Sequence, residues 1–204
     1  LAAPAGGPQS HTSTSRNRAG DGGGDVALRA RPPIFHPMEW FLIEEAGIYT
    51  IDTFRFLGGV IARVWCLLRK LNPVITGEDT GLAVMEFEQA GIGLYDANRF
   101  NESTAENQRY TFGEVTVEAD GGPIRLYDDG RLTIQKLGDA EQEHAYQRST
   151  DGFAGDCVLA TQQHFVDCLQ SGEPFETDGP RYLKSIAVQE AMYRSSESGQ
   201  WETP

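Results

Sequence analysis

Between Gly81 and Lys136 the chain is written as short runs of large apolar residues broken by turn-forming sequences, a pattern that admits a sheet and little else. Gly81 to Phe87 and Gly91 to Phe100 flank Glu88-Gln89-Ala90-Gly91, a connection short enough for an antiparallel hairpin. Phe112 to Glu118, Ile124 to Tyr127 and Leu132 to Lys136 follow. They are joined by Ala119-Asp120-Gly121-Gly122-Pro123 and Asp128-Asp129-Gly130, residues that tolerate turn dihedrals. A last weak strand takes in Tyr146. Ahead of the hairpin, Val60 to Leu71 alternates Ala62, Val64, Cys66 and Leu68 against Arg63, Trp65, Leu67 and Arg69 until Asn72 and Pro73 end it.

A sheet with an apolar face must be covered, and amphipathic segments flank it. Over Glu39 to Leu57, Phe41, Leu42, Ile48, Ile51, Phe54 and Leu57 recur mostly at every third position, predicting a helix that stops at Gly58 and Gly59. Asp156 is the expected N-cap of a helix from Cys157 to Gln170, with Val158, Phe165, Cys168 and Leu169 on its buried stripe and Gly172 as its stop. A last helix runs from Pro180 to Ser196 with Leu183, Ile186, Ala187, Ala191 and Met192 inward. The order predicts an α+β fold, a mostly antiparallel open sheet with helices packed on one face.

Composition breaks near residue 31. Residues 1–31 are Ala, Gly, Pro, Ser, Thr and Arg with almost no large apolar side chain, a disordered or low-complexity segment; residues 32–204 form the domain. Arg16, Arg18, Arg29 and Arg31 outnumber Asp21 and Asp25 there by two, so of the chain's net charge of -13 the domain carries about -15. That acidity argues against nucleic acid and anionic membrane as partners. The absence of an apolar run of about 18 residues argues against a membrane span. Cys66, Cys157 and Cys168 are odd in number and lack zinc-like spacing; with no signal-peptide core, a reducing, cytoplasmic setting is expected. The first residue is leucine, and an incomplete reading frame is the expectation over a processed end.

The segment Glu45-Ala46-Gly47-Ile48-Tyr49-Thr50-Ile51-Asp52-Thr53-Phe54-Arg55-Phe56-Leu57-Gly58-Gly59 resembles the acid-x-Gly-x-His/Tyr-x-x-Asp helix of the Gfo/Idh/MocA family of nicotinamide-dependent sugar and cyclitol oxidoreductases. Gly77-Glu78-Asp79-Thr80, Tyr127-Asp128-Asp129-Gly130, Phe153-Ala154-Gly155-Asp156 and Gly172-Glu173-Pro174-Phe175-Glu176-Thr177 follow in the family's order. The resemblance covers the family's C-terminal α+β domain only. No strand followed by G-x-G-x-x-G and a helix occurs, and Gly20 to Gly24 has no apolar strand before it, reading as linker or turn. The family's Glu-Lys-Pro, with its substrate-polarising lysine, is absent as well. The resemblance thus implies NAD or NADP for the full-length family enzyme, no cofactor binding by this chain alone, and no turnover by it alone.

By the same resemblance Tyr49 stands where the family carries its proton-transferring histidine or tyrosine, Glu45 lies one α-helical turn earlier to orient it, and Asp52 continues the stripe toward substrate. A phenol ionises near pH 10, about three units above neutrality, so such a base needs a cation or hydrogen bond beside it. Without the resemblance the same residues read as a polar helix face with Tyr49 half buried. Asn98 and Arg99 end a strand, where amide and guanidinium can read sugar hydroxyls or simply cap the strand. His36, His144 and His164 have no ligand partners at metal spacing, and Cys157 and Cys168 read as small core residues. The expected partners are a sugar or polyol and a second copy of the chain, docked through a sheet face bearing Trp65, Leu67, Met85 and Phe87. The alternative is a non-enzymatic binding or assembly module derived from such an oxidoreductase.

Overall fold

The computed structural model describes residues 11–13, 36–100, 105–106, 113–147, 149 and 156–204. Phe112, Gly20 to Gly24 and Phe153-Ala154-Gly155 lie outside them. In chain order the elements are β1 (His11–Ser13), a π-helical turn (Ile43–Gly47), α1 (Ile48–Gly58), β2 (Ile61–Arg69), β3 (Thr80–Phe87), β4 (Ile92–Asn98), β5 (Val115–Ala119), β6 (Gly122–Leu126), β7 (Leu132–Ile134), β8 (Gln142–Glu143), α2 (Cys157–Ser171) and α3 (Gly179–Ser198).

The strands form one sheet in the order β2-β3-β4-β1-β5-β6-β7-β8. Neighbours pair antiparallel except β1, which runs parallel to β4 and antiparallel to β5 and so joins the two meanders. β1 comes from the segment read as low complexity. Ladder hydrogen bonds are made by the main chain, so that segment can supply a strand without apolar side chains. The α+β architecture expected from the alternation is what forms.

Register decides which apolar residues share a face. Val64 pairs with Met85 and Trp65 with Val84, so Val64, Cys66, Ala83, Met85, Phe87 and Tyr95 point to the side covered by α1 and α3. The grouping of Trp65 and Leu67 with Met85 and Phe87 is therefore corrected: Met85 and Phe87 are buried. The opposite, less covered row is Trp65, Leu67, Leu82, Val84, Ile92 and Leu94. Alternation within each strand was readable, but the relative phase of two strands depends on the hairpin turn. The core is closed from above by Leu42, Ile43, Ile51 and Phe54 and by Val188, Ala191 and Met192 of α3.

The helices depart from expectation in detail. The first is not one α-helix from Glu39; the Ile48 N–H reaches back five residues to the Ile43 carbonyl, and only then does α1 begin. α3 starts where Asp178 caps it, its Oδ1 accepting from the Arg181 N–H at 2.7 Å with Pro180 in the first turn. Its buried row is Ser185, Val188, Gln189, Ala191, Met192 and Ser195, while Leu183 is exposed.

α2 has the expected span, yet Cys168 is its buried residue; Val158, Phe165 and Leu169 are exposed, and so is Cys157. Asp156 occupies the N-cap position without a side-chain bond to the helix, and Gly172 ends it in the left-handed region at φ 77°. What holds α2 is its own return segment. Phe165 packs on Phe175 with ring centroids 5.3 Å apart, and His164 Nε2 accepts from the Glu176 N–H at 3.0 Å. Amphipathic spacing tells which face seeks cover, not whether cover is present. The weak strand placed at Tyr146 is Gln142–Glu143 instead; the Tyr146 hydroxyl donates to the Gly130 carbonyl, which takes that residue out of the ladder.

Candidate functional site

The candidate residues gather where the π turn and α1 pass the end of β4. A π turn carries one more residue per turn than an α-helix, so the eclipsing of positions four apart fails across it. Glu45, inside that turn, is engaged by Arg99 just beyond β4 in an ion pair whose side chains are 29% and 12% exposed. Arg99 is fixed on two further sides: its guanidinium lies 4.4 Å from the Phe41 ring centroid, and its N–H donates to the Asp79 carbonyl at 2.8 Å. Arg99 Nε is buried without a hydrogen-bond partner among the described residues.

Tyr49 stands in the first turn of α1, its side of the helix open and the residue 67% exposed. Its carbonyl accepts from the Thr53 hydroxyl at 3.0 Å. Beneath it, Tyr95 of β4 is buried and shares a hydrogen bond with Thr50; burial pushes that phenol above its ordinary range. Asn98, at the end of β4, accepts on Oδ1 from the Phe100 N–H at 2.9 Å.

Asp52 is held differently. Its Oδ1 accepts from Ser185 Oγ at 2.8 Å and from Arg55 Nη1 at 3.2 Å, and the same Nη1 donates to Ser185 Oγ at 2.6 Å and to the Arg181 carbonyl at 3.1 Å. These bonds staple α1 to α3. The structure thus brings Glu45 and Arg99 together, leaves Tyr49 open on α1, and ties Asp52 to the neighbouring helix.

Two partners were not legible in the sequence. Arg99 lies 54 residues from Glu45, and Ser185 lies 133 from Asp52, separations at which no periodicity carries a signal. A dinucleotide needs free N–H groups at a helix start for its pyrophosphate. Here the Phe41 and Ile43 amides are taken by Glu78 and Asp178 caps the start of α3, so neither of these two helix starts fits that group. Among the described residues no cluster of three His, Cys, Asp or Glu side chains can hold a metal ion, and no helix is long and apolar enough to cross a membrane.

The family model described as "Oxidoreductase family, C-terminal alpha/beta domain" matches residues 42–203. The D-apiose dehydrogenase of Rhizobium rhizogenes is 31% identical over 177 residues, covering 79% of this chain and 48% of its own length. That of Paraburkholderia graminis is 29% identical over 169 residues, covering 79% and 44%. The solved oxidoreductase from Agrobacterium radiobacter in complex with NAD+, L-tartaric acid and magnesium has a TM-score of 0.77 at 25% identity, covering 97% of this chain and 57% of its own. The chain spans about half the length of the curated relatives it matches.

Proposed function

Because the chain belongs to the Gfo/Idh/MocA oxidoreductase family, whose C-terminal α/β domain it carries, we propose that residues 32–204 are the substrate-facing half of an NAD(P)-dependent sugar or cyclitol oxidoreductase. The observation that carries this reading is Tyr49, a solvent-open phenol on the helix that bears the ion-paired Glu45. A nicotinamide cofactor, NAD or NADP, would be held by residues other than those described and would supply the hydride acceptor.

This half's part is the proton and the polyol. Tyr49, acting as the phenolate, takes the proton of the substrate hydroxyl and is left as the phenol, and Glu45 with Arg99 presents a fixed pair of charges against which the remaining hydroxyls orient. Asn98 and Arg99, adjacent at the end of β4, donate to substrate oxygens. Asp52 serves substrate binding through the α1–α3 staple that fixes the face carrying Tyr49. Cys66 and Cys168, held in no disulfide, support a cytoplasmic setting.

A second copy docks, in this proposal, through the open sheet row of Trp65, Leu67, Leu82, Val84, Ile92 and Leu94. The same row supports the other reading, an assembly module without turnover. Joined to its nucleotide-binding half, the chain carrying Tyr49→Phe should turn over about a hundredfold to ten-thousandfold more slowly than wild type with its fold intact. Unchanged turnover would remove Tyr49 from the reaction. Absence of any sugar oxidation by the joined wild type would favour the module.

A further inference from the structure

Glu78 is a buried carboxylate, 8% exposed, to which the proton-transfer reading gives no task. Its Oε2 accepts from the Phe41 N–H at 3.1 Å and its Oε1 from the Ile43 N–H at 3.0 Å, while its carbonyl accepts from the Leu42 N–H at 3.1 Å. Oε1 also accepts from the Tyr193 hydroxyl at 2.9 Å. The opening N–H groups of a helix have no partner within it, and a negative charge there is favoured by the helix dipole. Leu42, at the N-cap of the π turn, supplies no side-chain bond. Glu78 fills that role from 35 residues away.

The next residue fixes the other half of the site. The Asp79 carbonyl accepts from the Arg99 N–H at 2.8 Å, and the Asp79 carboxylate, itself buried, accepts from the Leu71 and Asn72 N–H groups at 2.9 and 2.7 Å. Both members of the Glu45–Arg99 pair therefore hang on one dipeptide: the turn bearing Glu45 begins at amides held by Glu78, and the Arg99 backbone is held by Asp79. We infer that Glu78 is a positioning residue of the candidate site, setting the π turn so that Glu45 meets Arg99. Its meaning for catalysis rests on the proposed function above; its geometry does not.

The test is a double-mutant cycle in the full 204-residue chain. Glu45→Gln, Arg99→Met and the double variant are unfolded in urea, in the wild-type background and again with Glu78→Gln. Gln at 78 keeps one acceptor oxygen but turns an NH2 group toward the Phe41 or the Ile43 amide. In the wild-type background the pair should show a coupling of about fivefold in the unfolding constant, within the range for contacting residues. With Glu78→Gln the coupling should fall to about unity. A residue that only stabilises would lower every unfolding midpoint and leave the coupling intact, and that result overturns the inference.

Should Glu78→Gln fail to fold, Tyr193→Phe decides. It frees Oε1 on one side and should lower the coupling at least about twofold; an unchanged coupling overturns the inference equally. The cycle needs no turnover, so a chain that never oxidises a sugar leaves its outcome untouched.

Discussion

At Gly77 the backbone leading into β3 comes so close to the start of the helix that a Cβ would lie 2.8 Å from both the Met38 and Glu39 carbonyl oxygens. Main-chain atoms cannot swing aside as a side-chain tip can, so the approach requires glycine, and it is this approach that lets Glu78 reach the Phe41 and Ile43 amides. Gly77→Ala should cost about 1–3 kcal/mol, the range for forcing extra volume into a packed site. At about 2–4 °C of melting temperature per kcal/mol for a chain of this size, a thermal melt resolves that loss. An unchanged melt would mean that the contact is slack. Glu45, Tyr49 and Asp52 were singled out by the motif resemblance, which a single helix-length of sequence carries. Their partners were not, since Arg99 and Ser185 arrive from other elements and nothing local marks them.

Among elements, β2 is the edge strand of the sheet, a position that leaves a row of N–H groups open to pairing with another chain. Here the row is closed from within. The Val64 N–H donates to the Glu202 carbonyl at 2.8 Å, the Cys66 N–H to Ser195 Oγ at 2.8 Å and the Leu68 N–H to Ser196 Oγ at 3.0 Å. Outside it, Arg63 forms a two-bonded pair with Glu86 at 2.7 and 2.8 Å and lies 4.7 Å from the centroid of the Trp201 ring. Two serines of α3 thus serve the strand beside it. Ser195→Ala strands the Cys66 N–H and should cost about 1–3 kcal/mol, the penalty of a buried unpaired amide. A urea midpoint lowered by that amount is the expected result; no change would mean that water or a shifted backbone replaces the hydroxyl.

At the scale of the whole fold, three neutral acids among the described residues are shielded from water, Cys66 and Tyr95 buried and Tyr193 partly so. Burial pushes the Cys66 thiol up from 9.0 to about 12, and burial, aided by the Glu78 carboxylate, lifts the Tyr193 hydroxyl above its ordinary 10.0. Burial lifts Tyr95 in the same direction. Each group holds its proton more tightly folded than unfolded, so between the two pKa values the native state binds more protons and stability falls as pH rises. Melting temperature should therefore hold up to pH 9.0 and drop progressively toward pH 12 as the unfolded thiol and phenols ionise first. A flat profile across that window would mean that these groups reach water in the native state. The sequence by itself determined the α+β class, strands β2 to β7 and the helical segments, because side-chain period and turn chemistry are properties of neighbours along the chain. Only the tertiary structure decided the phase of one strand against the next, the π turn at Glu45, the Glu45–Arg99 pair and the carboxylate of Glu78 behind it. Those depend on hydrogen bonds between residues far apart in sequence, which exist only once the sheet has brought them within reach.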